Sequence, residues 1–172
     1  MEGVGRCHNS LDMKRFLIYL ALLMLVMPAC RAQRFPVTVV GISDGDTFTV
    51  INRDKFQLKV RIYGIDAPEK GQAFGNRSKQ ALSSYIAGKD IEIDVQYQDR
   101  WGRSVAKAYT PEGEDVALLM LRDGMAWHFK RYDSAREYAD AEAEARSAGA
   151  GLWADPNPTA PWDFRKSGNP KH

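Results

Sequence analysis

A β-barrel plus α fold, a five-stranded OB-fold barrel with three helices, is what the order of segments in the sequence predicts. Three observations lead there. Three β-branched runs come first, separated only by tight turns; one segment of helical period then interrupts them; two more strands and two more helices follow. No internal repeat and no second domain are visible.

In chain order, Phe35 to Ile42 and Thr47 to Ile51 are the first two strands, joined by the turn Ser43-Asp44-Gly45-Asp46-Thr47. Asn52 to Lys55 supplies the next turn, and Phe56 to Tyr63 the third strand. Its alternation puts Val60 and Ile62 on one face and Arg61 and Tyr63 on the other, until Gly64 lets the chain leave the ladder. Glu69 to Gly75 reads as a mobile polar loop. From Asn76 the period changes: Leu82, Tyr85 and Ile86 share a helical face, and Gly88 suits the left-handed position after a helix. Asp90 to Gln96 alternates again, with Ile91, Ile93 and Val95 inward, and Arg103 to Thr110 is the fifth strand.

Two helices follow. Asp115 caps one that carries Val116, Leu119 and Met120 on one side and ends at Gly124. Ser134-Ala135-Arg136-Glu137 reads as a capping box before a stripe of Tyr138, Ala141 and Ala145 that runs to Gly149. Leu152 and Trp153 are expected to plug the bottom of the core, so the domain spans residues 33–154. Residues 155–172 form a proline-bearing tail that either clamps through Trp162 or frays.

The chain has 172 residues, enough for one domain with a core. Residues 1–32 read as a secretory signal: Lys14 and Arg15, an apolar run from Phe16 to Met27, then the small residues Ala29, Cys30 and Ala32, with Met13 as a second candidate start. The run falls short of the roughly 20 apolar residues of a stable membrane span. A periplasmic or secreted location follows, with lipid attachment at Cys30 as the minor alternative. Cys7 and Cys30 are the only cysteines and both precede the domain, so no structural disulfide is available to it. Residues 1–32 hold four basic and two acidic residues, which leaves 20 of each in the remainder. A near-neutral domain lacks the basic excess of a tight, non-specific nucleic-acid binder, so any attraction for phosphate must be local.

Chemistry concentrates in two acidic passages. Val60 to Lys70 carries Arg61, Asp66, Pro68 and Glu69, and Pro68 stiffens the corner by fixing its own φ and pushing Ala67 to an extended conformation. The turn upstream carries Asp44 and Asp46. If the strands are neighbours the four carboxylates converge, and a hard divalent ion relieves their repulsion most simply. Arg61 beside them is suited to grip a phosphate with two donors. Each piece has a plainer explanation: Asp and Gly favour any turn, and an arginine on a strand often makes only a surface ion pair.

The ordered set D-G-D-T, R-x-x-x-x-D-x-P-E, W-G-R at Trp101 to Arg103, and the closing A-E-A-x-A…G-L-W at Ala141 to Trp153 resembles the staphylococcal nuclease (thermonuclease) family, from about Val39 to Trp153. The resemblance implies the OB-type barrel, one Ca²⁺ ion, and hydrolysis of DNA and RNA with little sequence preference, leaving 3′-phosphate ends. It implies Asp46, Asp66 and the Ala67 carbonyl as ligands, Asp44 and Thr47 just outside them, Glu69 as general base, and Arg61 and Arg103 bracketing the phosphate. Arg100 and Trp101 are candidates for a nucleotide pocket, the indole offering a stacking face. The aromatic group Trp127, His128, Phe129 and Tyr132 reads as packing, and His128 has no nucleophile to serve. A monomer is expected. The rival class is an inactive OB-fold module that binds nucleic acid or protein, since fold alone does not establish chemistry; a Ca²⁺-binding envelope protein is a third reading.

Overall fold

The computed structural model describes residues 33–168. The expected signal segment lies outside the described residues. Strands β1 (Phe35–Ile42), β2 (Thr47–Ile51) and β3 (Gln57–Ile62) form where the β-branched runs lie, β1 with β2 and β2 with β3 antiparallel. A two-residue strand β4 (Ile65–Asp66) precedes helix α1 (Gly75–Ile86). Strands β5 (Asp90–Gln98) and β6 (Ser104–Tyr109) follow, then α2 (Val116–Arg122), β7 (Trp127–His128) and α3 (Arg136–Ser147). A 3₁₀ turn at Gly151–Ala154 and a short helix α4 (Pro161–Lys166) end the described chain.

The five long strands close a barrel in the order β1-β2-β3-β6-β5, with β5 returning to β1. Closure runs through one parallel pairing, Val60 to Ser104 and Ile62 to Ala106, which leaves no strand of the barrel with a free edge. Phe48, Val50, Val60, Ile62, Ile93 and Ala106 fill its interior, each at most 1% exposed. Leu82 and Ile86 of α1 and Met120 and Leu121 of α2 extend the same core. At about 25 cal/mol per Å² of apolar surface removed from water, this continuous cluster is what holds the fold.

Several local expectations are revised. Val95 does not point inward: the β5–β6 register shifts between Val95 and Tyr97, and this irregularity leaves Val95 exposed. The buried side of α2 is Val116, Ala117, Met120 and Leu121, with Leu119 only half-buried. Asp115 does cap α2, accepting from the Ala117 and Leu118 amides. The capping box of α3 is absent: Ala135 holds the cap position without a side-chain bond, and Asp133 Oδ1 accepts from the Ala135 amide instead. Of the two outcomes open to the tail it takes the clamped one, and Pro161 starts α4, where a fixed φ and a missing N–H suit the first helical turn.

Leu152 and Trp153 form a small cluster of their own with Ala145, flanked by Phe74 and Trp127, rather than a plug in the barrel. Trp127 lies edge-on to both Trp153 and Trp162, at 4.5 and 5.5 Å between ring centres, and Phe129 stacks on Trp162. Trp162 therefore clamps the tail onto the segment that pairs with β4. Among the described residues no helix is long and apolar enough to cross a membrane.

Candidate active site

The turn between β1 and β2 is closed by backbone bonds from the Ser43 and Asp44 amides to the Thr47 carbonyl, at 2.9 and 3.3 Å. Asp44 accepts from the Asp46 amide at 3.1 Å, which fixes the turn from inside. Gly45 is required by proximity: a Cβ there would lie 1.9 Å from Ser78 Oγ and 2.8 Å from Ala67 Cβ. The turn thus presses against the second acidic corner. Asp46 Oδ2 accepts from the Ala67 amide at 2.9 Å, and the Asp46 carbonyl accepts from the Ile62 amide at 2.8 Å.

The second corner is positioned by β4, which pairs Ile65 with His128 and Asp66 with Trp127. Gly64 enters it at φ +80, a left-handed conformation that favours glycine, with Tyr138 packed where a side chain would go. Asp66 and Ala67 are buried and Glu69 is half-buried. The loop after Glu69 is not the open segment the sequence suggests. Gln72 accepts from the Glu69 amide at 2.9 Å and donates to the Thr159 carbonyl at 2.7 Å, tying the loop to the tail.

Arg61 joins the two corners. Its Nη1 donates to Asp46 Oδ1 at 2.9 Å and its Nη2 to Asp66 Oδ1 at 2.7 Å, while Thr47 Oγ1 donates to Asp46 Oδ1 at 2.9 Å. The carboxylates are nearly shut off from solvent, at 4% and 0% side-chain exposure, and the guanidinium is 18% exposed. Burial pushes the Asp46 carboxyl up to about 7; Arg61 opposes the rise, and Asp44 and Asp66 add to it. Burial works against the Arg61 charge too, but Asp46 and Asp66 outweigh it and hold the guanidinium protonated well above its ordinary value.

Arg103 is engaged locally. Its Nε donates to Asp99 Oδ2 at 2.7 Å and its amide to Asp99 Oδ1 at 3.0 Å, so the partner it holds among the described residues is Asp99, on its own loop. Trp101 is exposed, with the guanidinium carbons of Arg100 and Arg103 at 4.3 and 5.1 Å from its ring. His128 is buried edge-on to Tyr138, its amide donating to Glu142, as packing predicts. Phe129 and Trp127 are likewise used in packing, whereas Tyr132 is exposed.

The second guanidinium at the carboxylates is Arg165 of α4, which the sequence reading missed. Its two Nη atoms meet Asp66 Oδ1 and Oδ2 at 3.2 and 2.7 Å, and Nη1 also bonds Glu69 Oε1. Burial disfavours the Arg165 charge, and bonding to Asp66 and Glu69 more than offsets it. An arginine in a polar tail is common, and nothing in its spacing separates it from Lys166; the available signal was Trp162 three positions earlier, expected to dock the tail.

Among the described residues no three side chains of the His, Cys, Asp and Glu types gather in metal-holding geometry. The carboxylates meet around guanidiniums rather than around each other. The donor set still suits a hard cation in part: two buried carboxylates, Asp46 and Asp66, and a carbonyl at Ala67, all oxygen.

The sequence model of the staphylococcal nuclease homologue family matches residues 59–155. The chain is 38% identical over 156 residues to a protein of Haemophilus influenzae named as an uncharacterized endonuclease, covering 91% of this chain and 87% of that one. It is 37% identical over 141 residues to a micrococcal nuclease of Shigella flexneri, covering 75% and 79%. It is 44% identical over 110 residues to a probable staphylococcal-like nuclease of Oryza sativa, covering 64% of this chain and 30% of that one. With the barrel, the ordered motifs and more than half of its length matched, the chain belongs to the staphylococcal nuclease homologue family.

Proposed function

We propose that this chain is a divalent-cation-dependent nuclease that hydrolyses phosphodiester bonds of DNA and RNA with little sequence preference. The observation that carries this reading is Arg61 bonded to both Asp46 and Asp66, with Glu69 three residues farther along the same stiff corner. Asp46, Asp66 and the Ala67 carbonyl would hold the cation, Ca²⁺ by resemblance, with waters and a substrate phosphate completing its shell of about 6 to 8 oxygens. When bound, the cation supplies Lewis acidity and positive charge at the phosphoryl group.

The chain's own residues do the rest. Arg61 presents a rigid fork of donors from a barrel strand, so charge developing on phosphoryl oxygens meets hydrogen bonds that need little reorganisation. Glu69 accepts the proton of the attacking water. The water oxygen bonds to phosphorus as the bond from phosphorus to the 5′-oxygen breaks, and that oxygen takes a proton from solvent. A 3′-phosphate and a free 5′-hydroxyl remain. Asp44 and Thr47 hold the orientation of Asp46, the first through its amide and the second through its carboxylate. The exposed Trp101 and Tyr132 offer ring faces for bases without hydrogen-bond readout, which suits an enzyme indifferent to sequence. Export rests on the leader reading of residues 1–32.

The test is digestion of single- and double-stranded DNA and of RNA by the purified protein, with Ca²⁺ and with chelator, and with end-group analysis of the products. Cleavage only with the cation and 3′-phosphate ends are expected. Unchanged cleavage under chelator would remove the cation's role. Oligonucleotide binding without turnover under any divalent ion would favour the binding-module reading.

A further inference from the structure

Arg165 comes to the site from the far end of the chain, and three independent contacts bring it there. Trp162, one helical turn earlier, stacks on Phe129 and lies edge-on to Trp127, the residue that pairs with Asp66 across β4 and β7. Gln72 Nε2 donates to the Thr159 carbonyl, fastening the start of the tail to the loop that follows Glu69. Ala160 and Pro161 are buried. So placed, Arg165 meets the Asp66 carboxylate with a parallel pair of donors and shares Nη1 with Glu69.

Such a fork is among the strongest hydrogen-bonded ion pairs available to a carboxylate. It also takes the same oxygens a cation would need. Asp66 Oδ1 receives Arg61 and Arg165 together, and Oδ2 receives Arg165. Three of the roughly four acceptor positions of the Asp66 carboxylate are thus taken, so a divalent ion competes there with guanidinium donors. Arg61 is 18% exposed and sits on a barrel strand, whereas Arg165 is 41% exposed and sits on a short terminal helix, so Arg165 is the easier to move. The tail is also incompletely packed: a cavity of about 160 Å³ lies between it and the loop, lined in part by Pro68, Gln72, Thr159 and Phe164.

We propose that Arg165 is a positioning residue of the same site and the cation's internal competitor. With no cation present it neutralises Asp66 and holds Glu69 in place; a cation competes with it for Asp66. The affinity of the site for divalent ions is then set by the tail as well as by the ligands. This inference rests on the cation reading above and adds to it a residue outside the matched segment 59–155.

The experiment is calorimetric titration of the purified protein with Ca²⁺ and with Mn²⁺, without substrate, for the parent, R165A, R165Q, R165K and W162A. R165A and R165Q are expected to bind about tenfold tighter, because the ion no longer competes with a charge-assisted fork. R165K should fall between them and the parent, since an ammonium restores the charge without the parallel pair. W162A should tighten binding as well, and the double variant W162A/R165A should add nothing beyond R165A, as expected if Trp162 acts by delivering Arg165. A parent that binds the ion while R165A and R165Q bind it no more tightly would overturn the inference and leave the nuclease reading standing. If neither the parent nor the variants bind either ion, the cation reading and this inference fall together.

Discussion

Arg61 Nη1 lies 2.9 Å from Asp46 Oδ1 in a setting where both side chains are mostly or wholly withdrawn from water. The sequence suggests that Arg61→Ala is nearly silent for folding. The geometry says otherwise, because truncation leaves two buried carboxylates of which Asp46 keeps no cationic partner among the described residues. Removing one member of a buried pair typically costs about 3 kcal/mol. Urea unfolding in chelator should show a loss of that order for Arg61→Ala, part of it recovered by millimolar Ca²⁺. Cleavage should fall about 10² to 10³-fold, as for loss of a donor to transition-state charge.

Glu69→Gln separates chemistry from assembly. Glu69 is half-buried, and the amide keeps an oxygen for Arg165 while losing the ability to take a proton. Stability should change by less than about 1 kcal/mol, as for a partly exposed ion pair. The rate of digestion should drop about 10² to 10⁴-fold. Cation titration should still show binding; a variant that digests at the parental rate would remove Glu69 from the proton transfer.

Gly45→Ala tests the contact between the two acidic corners. Its Cβ would overlap Ser78 Oγ, which is held by a 2.7 Å bond to the Met125 carbonyl and cannot simply rotate away. Overpacking of this kind costs about 1 to 3 kcal/mol. The turn should also back away from Ala67, loosening Asp46. A fall in both the unfolding midpoint and the digestion rate is expected, unlike Glu69→Gln, which should lower the rate alone.

Tyr85 gives a readout away from the site. Burial first, then its hydrogen bond to Asp123, pushes its phenol from 10.0 up to about 12. The folded chain keeps this proton over a window in which the unfolded chain releases it, so its contribution is intact below pH 10 and is lost as pH rises toward 12. Tyr85→Phe should remove that part of the alkaline loss of stability, followed by circular dichroism, and should leave digestion at neutral pH unchanged.

Most of the barrel was legible because its strands announce themselves by alternation and its turns by Asp, Gly and Pro. The limits of β1 and β2 agree residue for residue with the reading, since both runs are bounded by turn residues. What escaped notice has separate local causes. The pair β4 and β7 is two residues long on each side, too short for any period to register. Val95 obeys the alternation in sequence and breaks it in space, because a register shift costs no visible residue. Ser134 and Glu137 have the spacing of a capping box, but Asp133 takes the Ala135 amide and moves the start of α3.

The same limits apply to the candidate site. Asp46, Arg61 and Asp66 meet as their motifs suggest, because turn and strand are adjacent in the barrel. Arg103 carries an equally good motif, yet Asp99 four positions earlier takes its Nε. A nearby partner is met at low closure cost when the loop between the two is short. Arg165 shows the converse. Its partner Asp66 lies 99 positions away, and only the docking of Trp162 against aromatic residues of the domain makes that distance irrelevant.

The parallel join between β3 and β6 governs how this chain can be shortened. Any product ending before Ser104 leaves β3 with the bare amides and carbonyls of an open margin, which invites another chain to add on. Synthesis halted short of β6 would therefore yield self-associating pieces rather than a smaller working unit. Adding back a peptide spanning Ser104–Tyr109 should compete with that association.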